Sequence, residues 1–296
     1  MNNLCLLTVH AHPDDESSKG AGTVALYKSR GVRTVLVCCT GGEEGEILNP
    51  DMDTPETRAN LPEVREAELK QATRIIGYDE VVMLGYRDSG MAGAASNEDP
   101  RCFAQADTDE AVGKLVTEIR RARPQVIVTY DEEQSIYPHP DHLKVHEISV
   151  LAFDAAADKS KYPEAGEPWQ PLKLYYTVWS MKRIRSIHEK FAELGLESPF
   201  DQRWFDRPSR DEIITTSIDV SDFYSVRTAA LKAHRTQIEE TSRFWFGLPD
   251  DIAKSVHPYD DYTLARSLVG TNGGHPKEPD GAVAEMDLFA GITSTP

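Results

Sequence analysis

The chain has 296 residues and a net charge of −17, from 49 acidic against 32 basic side chains. So acidic a surface argues against nucleic acid or an anionic membrane as partner. Hydrophobic residues at 40% and charged residues at 27% suit a soluble globular protein, long enough for one large α/β domain or a core with an appended subdomain. Of the four cysteines, Cys5, Cys38 and Cys39 lie in apolar runs and none forms a C-x-x-C pair. They read as small core residues of a reduced, cytoplasmic protein rather than as disulfide partners or metal thiolates. The apolar N-terminal stretch lacks a positive flank and is too short for a signal peptide or a membrane span, so the cytoplasm is the expected location.

In chain order, the first half alternates strand-like and helix-like pieces. Leu4–Val9 reads as a buried strand, followed by a helix over Gly20–Ser29 and a second strand over Thr34–Cys39. A loop rich in Gly and Glu follows at Thr40–Gly45, then an amphipathic helix over Pro62–Ile76, closed by Gly77 as a C-cap. Val81–Leu84 is a short strand, Thr108–Arg123 a helix stopped by Pro124, Val126–Tyr130 a strand, and His142–Ala157 a helix. Further on, Leu174–Val178 and Ile213–Ile218 are expected strands, with Lys182–Leu194 and Ser221–Gln237 as expected helices. Pro and Gly cluster at Tyr162–Pro171 and Gly270–Gly281, marking loops. The alternation is that of βαβ units, predicting a Rossmann-like, mostly parallel sheet flanked by helices. Residues 1–160 form the expected catalytic core, and residues 161–296 a C-terminal extension packed on it and shaping a substrate cleft.

Two segments, His12-Pro13-Asp14-Asp15-Glu16 and His139-Pro140-Asp141-His142, each follow a strand-like run. In an open parallel sheet, groups that bind and react gather outside the carboxyl ends of the strands, so the two segments can converge on one point. His12, Asp15 and His142 would supply two imidazoles and a carboxylate to a divalent metal, leaving a coordination position open for water. Zn2+ suits this set, and Fe2+ suits it as well. Asp14 is placed to act as general base. His139 is placed to stabilise an oxyanion or to protonate a leaving amine, with Asp141 as its orienting partner. His146, four residues after His142, is better read as a packing or solvent-facing residue, because no H-E-x-x-H pattern is present.

The A-H-P-D-D-E motif with a later P-H-P-D-H resembles the LmbE-like family of zinc-dependent deacetylases, which includes the N-acetylglucosaminyl-phosphatidylinositol de-N-acetylases. Further segments are similar to the mycothiol-conjugate amidase branch of that family: His10–Gly20, Thr40–Asn49, Tyr137–His142, Ala165–Trp169 with Leu174–Tyr176, and Asp287–Ile292. The resemblance implies zinc on His12, Asp15 and His142, a general base at Asp14 and an assisting histidine at His139. It implies that Tyr137 polarises the scissile carbonyl, and that Glu46, Arg65 and Asp88 contact sugar and inositol hydroxyls. Lys19 falls where the amidase branch carries lysine, whereas Arg87–Gly93 is closer to the deacetylase branch. The implied reaction is hydrolysis of an amide on glucosamine. The substrate is a thiol-sugar conjugate, or alternatively the acetylated glucosaminyl-inositol. The oligomeric state is left open.

Overall fold

The computed structural model describes residues 4–132, 138–269 and 285–292. Its sheet has seven strands: β1 (Cys5–His10), β2 (Arg33–Thr40), β3 (Glu80–Tyr86), β4 (Val126–Thr129), β5 (Lys173–Val178), β6 (Thr216–Asp219) and β7 (Tyr259–Ser267). They lie in the order β3-β2-β1-β4-β5-β7-β6, and the first five are mutually parallel. β7 runs antiparallel to β5 and to β6. The helices are α1 (Asp15–Ser18), α2 (Ala21–Ser29), α3 (Pro55–Ala59), α4 (Leu61–Ile76), α5 (Thr108–Ala122) and α6 (Pro140–Ala155). Beyond them come α7 (Met181–Glu193), α8 (Gln202–Phe205), α9 (Tyr224–Ala233), α10 (Arg243–Phe246) and α11 (Asp250–Val256).

Side chains of a strand alternate between the two faces of its sheet, and here both faces are covered. Cys5, Leu7 and Val9 of β1 pack with Ala111, Leu115 and Ile119 of α5 and with Val145 and Ile148 of α6. Leu6, between them, joins Val24 of α2, Ile76 of α4 and Ala230 of α9 on the opposite face. The result is the doubly wound, mostly parallel α/β fold expected. All four cysteines are buried and unbridged. Among the described residues no helix is long and apolar enough to cross a membrane.

The chain past residue 160 contributes β5, β6 and β7 to this same sheet. Three local expectations change there. β6 begins at Thr216 rather than near Ile213, and α9 ends at Ala233 rather than near Gln237. β7 was not anticipated, because Asp260 and Asp261 interrupt its apolar alternation. Both are nonetheless buried and satisfied: Asp260 accepts hydrogen bonds from the Thr23 amide and hydroxyl, and Asp261 from Ser180, Ser217 and His257. The expected loop at Gly270–Gly281 lies outside the described residues.

The strand order reverses between β1 and β4, which pair in register from Leu6 with Val126 to Thr8 with Val128. This is the switch point at which parallel sheets of this class open a crevice. The two His-Asp segments leave the sheet from these two neighbouring strands.

Candidate metal centre

The loop after β1 is an unusually constrained turn. Asp14 stands at φ 116°, a conformation rarely adopted by residues with a side chain and costing about 1–3 kcal/mol where it occurs. Three contacts hold it. Its amide donates to Glu16 Oε2 at 2.9 Å, the Ser17 and Ser18 amides return to its carbonyl, and the buried Arg65 guanidinium grips the Pro13 carbonyl and, at 3.2 Å, the Asp14 carboxylate. Glu16 is anchored in turn by His234 Nε2 at 2.7 Å and the Ser17 hydroxyl at 2.5 Å. Burial works against charge on both members of the Glu16–His234 pair, but their mutual attraction outweighs it. It lowers the Glu16 pKa and raises that of His234.

Arg65 lies on the buried face of α4 with Glu68, two charged residues on a stripe read as apolar. The guanidinium reaches the Gly42 carbonyl at 2.6 Å, while Glu68 accepts from the Thr236 amide and hydroxyl. The Gly- and Glu-rich loop must leave room for it: a Cβ on Gly42 would stand 2.2 Å from Arg65 Nη1, and one on Gly45 2.4 Å away. Arg65 is therefore neither the surface charge nor the simple Glu66 or Glu68 partner that helix spacing allows.

His139 caps the N-terminus of α6, which begins at Pro140 rather than His142. Its Nδ1 accepts from the Asp141 amide at 3.2 Å, leaving the proton of the neutral ring on Nε2. Asp141 thus orients His139 through its backbone. Its carboxylate does something else, accepting from the amide and hydroxyl of Ser89 and facing His12 Nε2 at 3.2 Å. Asp88 also faces that nitrogen, at 3.4 Å, and accepts from the Gly90 and Glu44 amides. His12 Nδ1 looks the other way, to Asp15 Oδ2 at 3.5 Å, and the same oxygen lies 3.3 Å from His142 Nε2. Tyr130 stacks on His142 with ring centroids 4.5 Å apart, while its hydroxyl accepts from the Ala11 amide.

Two overlapping groups of potential ligand atoms result: His12, Asp15 and His142, and His12, Asp88, His139 and Asp141. The first fits a catalytic metal better. Its members converge on one oxygen, whereas Asp88 and Asp141 are each held by two backbone or serine donors. They sit where a ligating imidazole commonly donates its second N–H to a carboxylate. Protonation behaviour agrees. Burial lowers the His142 pKa to about 3, so it is a neutral ligand at any ordinary pH. Burial would also lower His12, but Asp141, Asp15 and Asp88 outweigh it and hold it well above its ordinary value. Asp15 is pulled well below the carboxylate range against its burial, chiefly by Lys19 and then His142. Burial pushes Asp14 up to about 6, with Arg65 opposing, although 27% of its side chain remains open to the cleft.

This cleft has a volume of about 630 Å³, well within the range of small-molecule sites. Glu46 is exposed on its rim. Lys19 also lines it, but its ammonium is paired with Asp15. Asp88 lines it too, with its carboxylate against His12. Tyr137 lies outside the described residues. His146 donates to the Tyr130 carbonyl and packs edge-on against Tyr176. Sequence reasoning missed Ser89, Tyr130 and the Glu16–His234 pair, each a common residue without a motif. It also missed the aromatic residues Trp179, Phe244 and Trp245 that line the cleft. The run Arg243-Phe244-Trp245-Phe246 was the available signal for the last.

Two imidazoles and a carboxylate at the switch point of a parallel sheet, with a further carboxylate open beside them, form a group that could hold a metal ion and suits metal-assisted hydrolysis. The family described as PIG-L, GlcNAc-PI de-N-acetylase, matches residues 7–153. The chain is 44% identical to a mycothiol S-conjugate amidase of Streptomyces coelicolor, covering 98% of both proteins. It is 39% identical to a 1D-myo-inositol 2-acetamido-2-deoxy-α-D-glucopyranoside deacetylase of Geodermatophilus obscurus, over 97% of both. Among solved structures, N,N′-diacetylchitobiose deacetylase from Pyrococcus horikoshii shares the fold with a TM-score of 0.62 at 15% identity, covering 89% of this chain and 84% of that one. The chain belongs to the PIG-L/LmbE family of deacetylases and amidases, and it is a hydrolase of amide C–N bonds.

The raised His12 gives one prediction. A cation and a proton compete for this ring, so affinity for Zn2+ should rise as pH rises through the neutral range, with release of about one proton per ion. Titration calorimetry in buffers of different ionisation enthalpy measures that release. Affinity independent of pH would remove His12 from the ligand set.

Proposed function

We propose that this protein is an amidase of mycothiol S-conjugates. It hydrolyses the amide between the glucosamine nitrogen and N-acetylcysteine, giving glucosaminyl-inositol and a mercapturic acid, a detoxification step in the cytoplasm. The observation that carries the reading is Asp14, held in a strained turn beside His12, Asp15 and His142 with its pKa raised to about 6. That is where a base working at neutral pH should titrate, and a mere sugar-binding protein has no use for it. The likeness to the Streptomyces amidase over nearly the whole chain supports the substrate.

His12, Asp15 and His142 would hold Zn2+; Fe2+ suits the same donors. When bound, the metal supplies Lewis acidity, bringing the pKa of a water towards neutrality and polarising a carbonyl. Asp14 takes a proton from the attacking water as its oxygen bonds to the acyl carbon. Arg65 aims that carboxylate from behind. Asp14 then passes that proton to the glucosamine nitrogen as the C–N bond breaks, while the neutral His139 donates a hydrogen bond from Nε2–H to the developing oxyanion. Burial, and then His12, lower its pKa, which favours the neutral ring that this hydrogen bond needs. Tyr137 is assigned to the scissile carbonyl and Glu46 to the sugar hydroxyls. Lys19, Arg65 and Asp88 act through Asp15, Asp14 and His12 rather than directly on the sugar. Val178, Trp179, Leu231, Phe244 and Trp245, from the later part of the chain, line the same cleft.

A second reading is deacetylation of acetylated glucosaminyl-inositol, favoured by relatives of that name at 39% identity. A bimane conjugate of mycothiol and the acetylated sugar, assayed on one protein sample, separate the two. The conjugate is expected to lead by at least about tenfold in kcat/KM, or ~1.4 kcal/mol. Equal or reversed values would make the deacetylase the better assignment. Asp14→Asn keeps a residue that tolerates positive φ while removing the base. Its turnover should fall at least about 100-fold with zinc affinity little changed. Wild-type turnover in that variant would exclude Asp14 as the base.

A further inference from the structure

The cleft has two chemically different halves. Beside the acids and imidazoles its lining includes an apolar set: Val178 at the end of β5 with Trp179 after it, Leu231 on α9, Ile238, and Phe244 with Trp245 on α10, with polar Thr177 and Gln237 as chain neighbours of Val178 and Ile238. Sugar and inositol hydroxyls are recognised through hydrogen bonds, and of this set only the two indole N–H groups can supply any from a side chain. An acetyl group is too small to use it.

The rings are fixed in place. Trp179 and Phe244 lie parallel, 4° apart with centroids at 5.6 Å. Trp245 stands perpendicular to both, at 4.7 Å from Phe244 and 5.9 Å from Trp179. Phe200 and Trp204 brace Phe244 from behind, and the Arg183 guanidinium lies 4.8 Å from the Trp179 ring centre. Yet Trp179, Phe244 and Trp245 remain only half-buried. Rigid aromatic surface left uncovered inside a cleft binds apolar groups with little loss of conformational freedom.

Resting on the amidase reading, we propose that this wall is the subsite for an apolar or aromatic substituent on the sulfur of the conjugate. In such a substrate the sulfur lies three bonds beyond the amide carbonyl carbon, on the acyl side. A group attached there extends away from the sugar while the carbonyl stays at the metal ligands. The wall shares one cleft with those ligands, which favours part of the substrate over a separate protein partner as its occupant. Selection of conjugates over the acetylated sugar then comes from burial of the substituent.

The test uses two mycothiol conjugates, S-benzyl and S-methyl, on the wild type and on Trp245→Ala and Trp245→Phe. The wild type should prefer the benzyl conjugate by about tenfold in kcat/KM, mainly through KM, the range expected for an apolar pocket. In Trp245→Ala that ratio should fall to about twofold or less, and Trp245→Phe should recover most of it by restoring ring surface. S-benzyl-N-acetylcysteine should quench the tryptophan fluorescence of the wild type, a readout that needs no turnover or variant. Hydrolysis of both conjugates with equal efficiency, or a ratio unmoved in Trp245→Ala, would overturn the subsite and leave the amidase reading intact. Hydrolysis of neither would overturn the amidase reading itself, and the subsite with it.

Discussion

Four carboxylates, those of Asp14, Asp15, Asp88 and Asp141, crowd around three imidazoles where little water reaches. Three of the four residues are almost wholly buried. Concentrated buried negative charge is costly unless it is paired. Lys19 and Arg65 supply two positive charges, leaving a formal deficit of two. The chain alone meets it in part, by holding a proton on His12 and raising the Asp14 pKa. A divalent cation between His12, Asp15 and His142 meets it in full. The donor set of His12, Asp15 and His142 fits such a cation, whose charge would balance the carboxylates around it.

The fold delivers that position through one pairing. β1 and β4 are neighbours at the point where the strand order reverses, so their two loops open into the same crevice. Beyond the strands, each loop is set by local devices. The first has a turn at positive φ, pinned by Glu16, His234 and Arg65. The second has a proline-started helix, with His139 as its cap and Asp141 braced by Ser89. His234, from the segment after α9, ties the later part of the chain to that first turn through Glu16, and Thr236 ties it to α4 through Glu68.

The parallel core was legible in the sequence because its strands are continuous apolar runs and its helices carry clear stops, as at Gly77 and Pro124. The ligand set was legible because two His-Pro-Asp segments each follow such a run. What escaped notice was carried by residues whose role depends on a distant partner. β7 was hidden by Asp260 and Asp261, two carboxylates satisfied only by hydroxyls, an amide and a histidine from other elements. The bonds of Arg65 to Pro13 and Gly42, and the approach of Asp88 to His12, lie outside what their own neighbourhoods reveal. Glu16 and His234 are 218 positions apart, and no local pattern joins them.

The central claim is the place of the cation, and diffraction from zinc-loaded crystals on either side of the zinc absorption edge tests it most directly. An anomalous peak within bonding distance of His12, Asp15 and His142, about 2.0–2.2 Å from each donor atom, is the predicted result. A peak held by Asp88, His139 and Asp141 instead, or none between the two loops, would contradict the account.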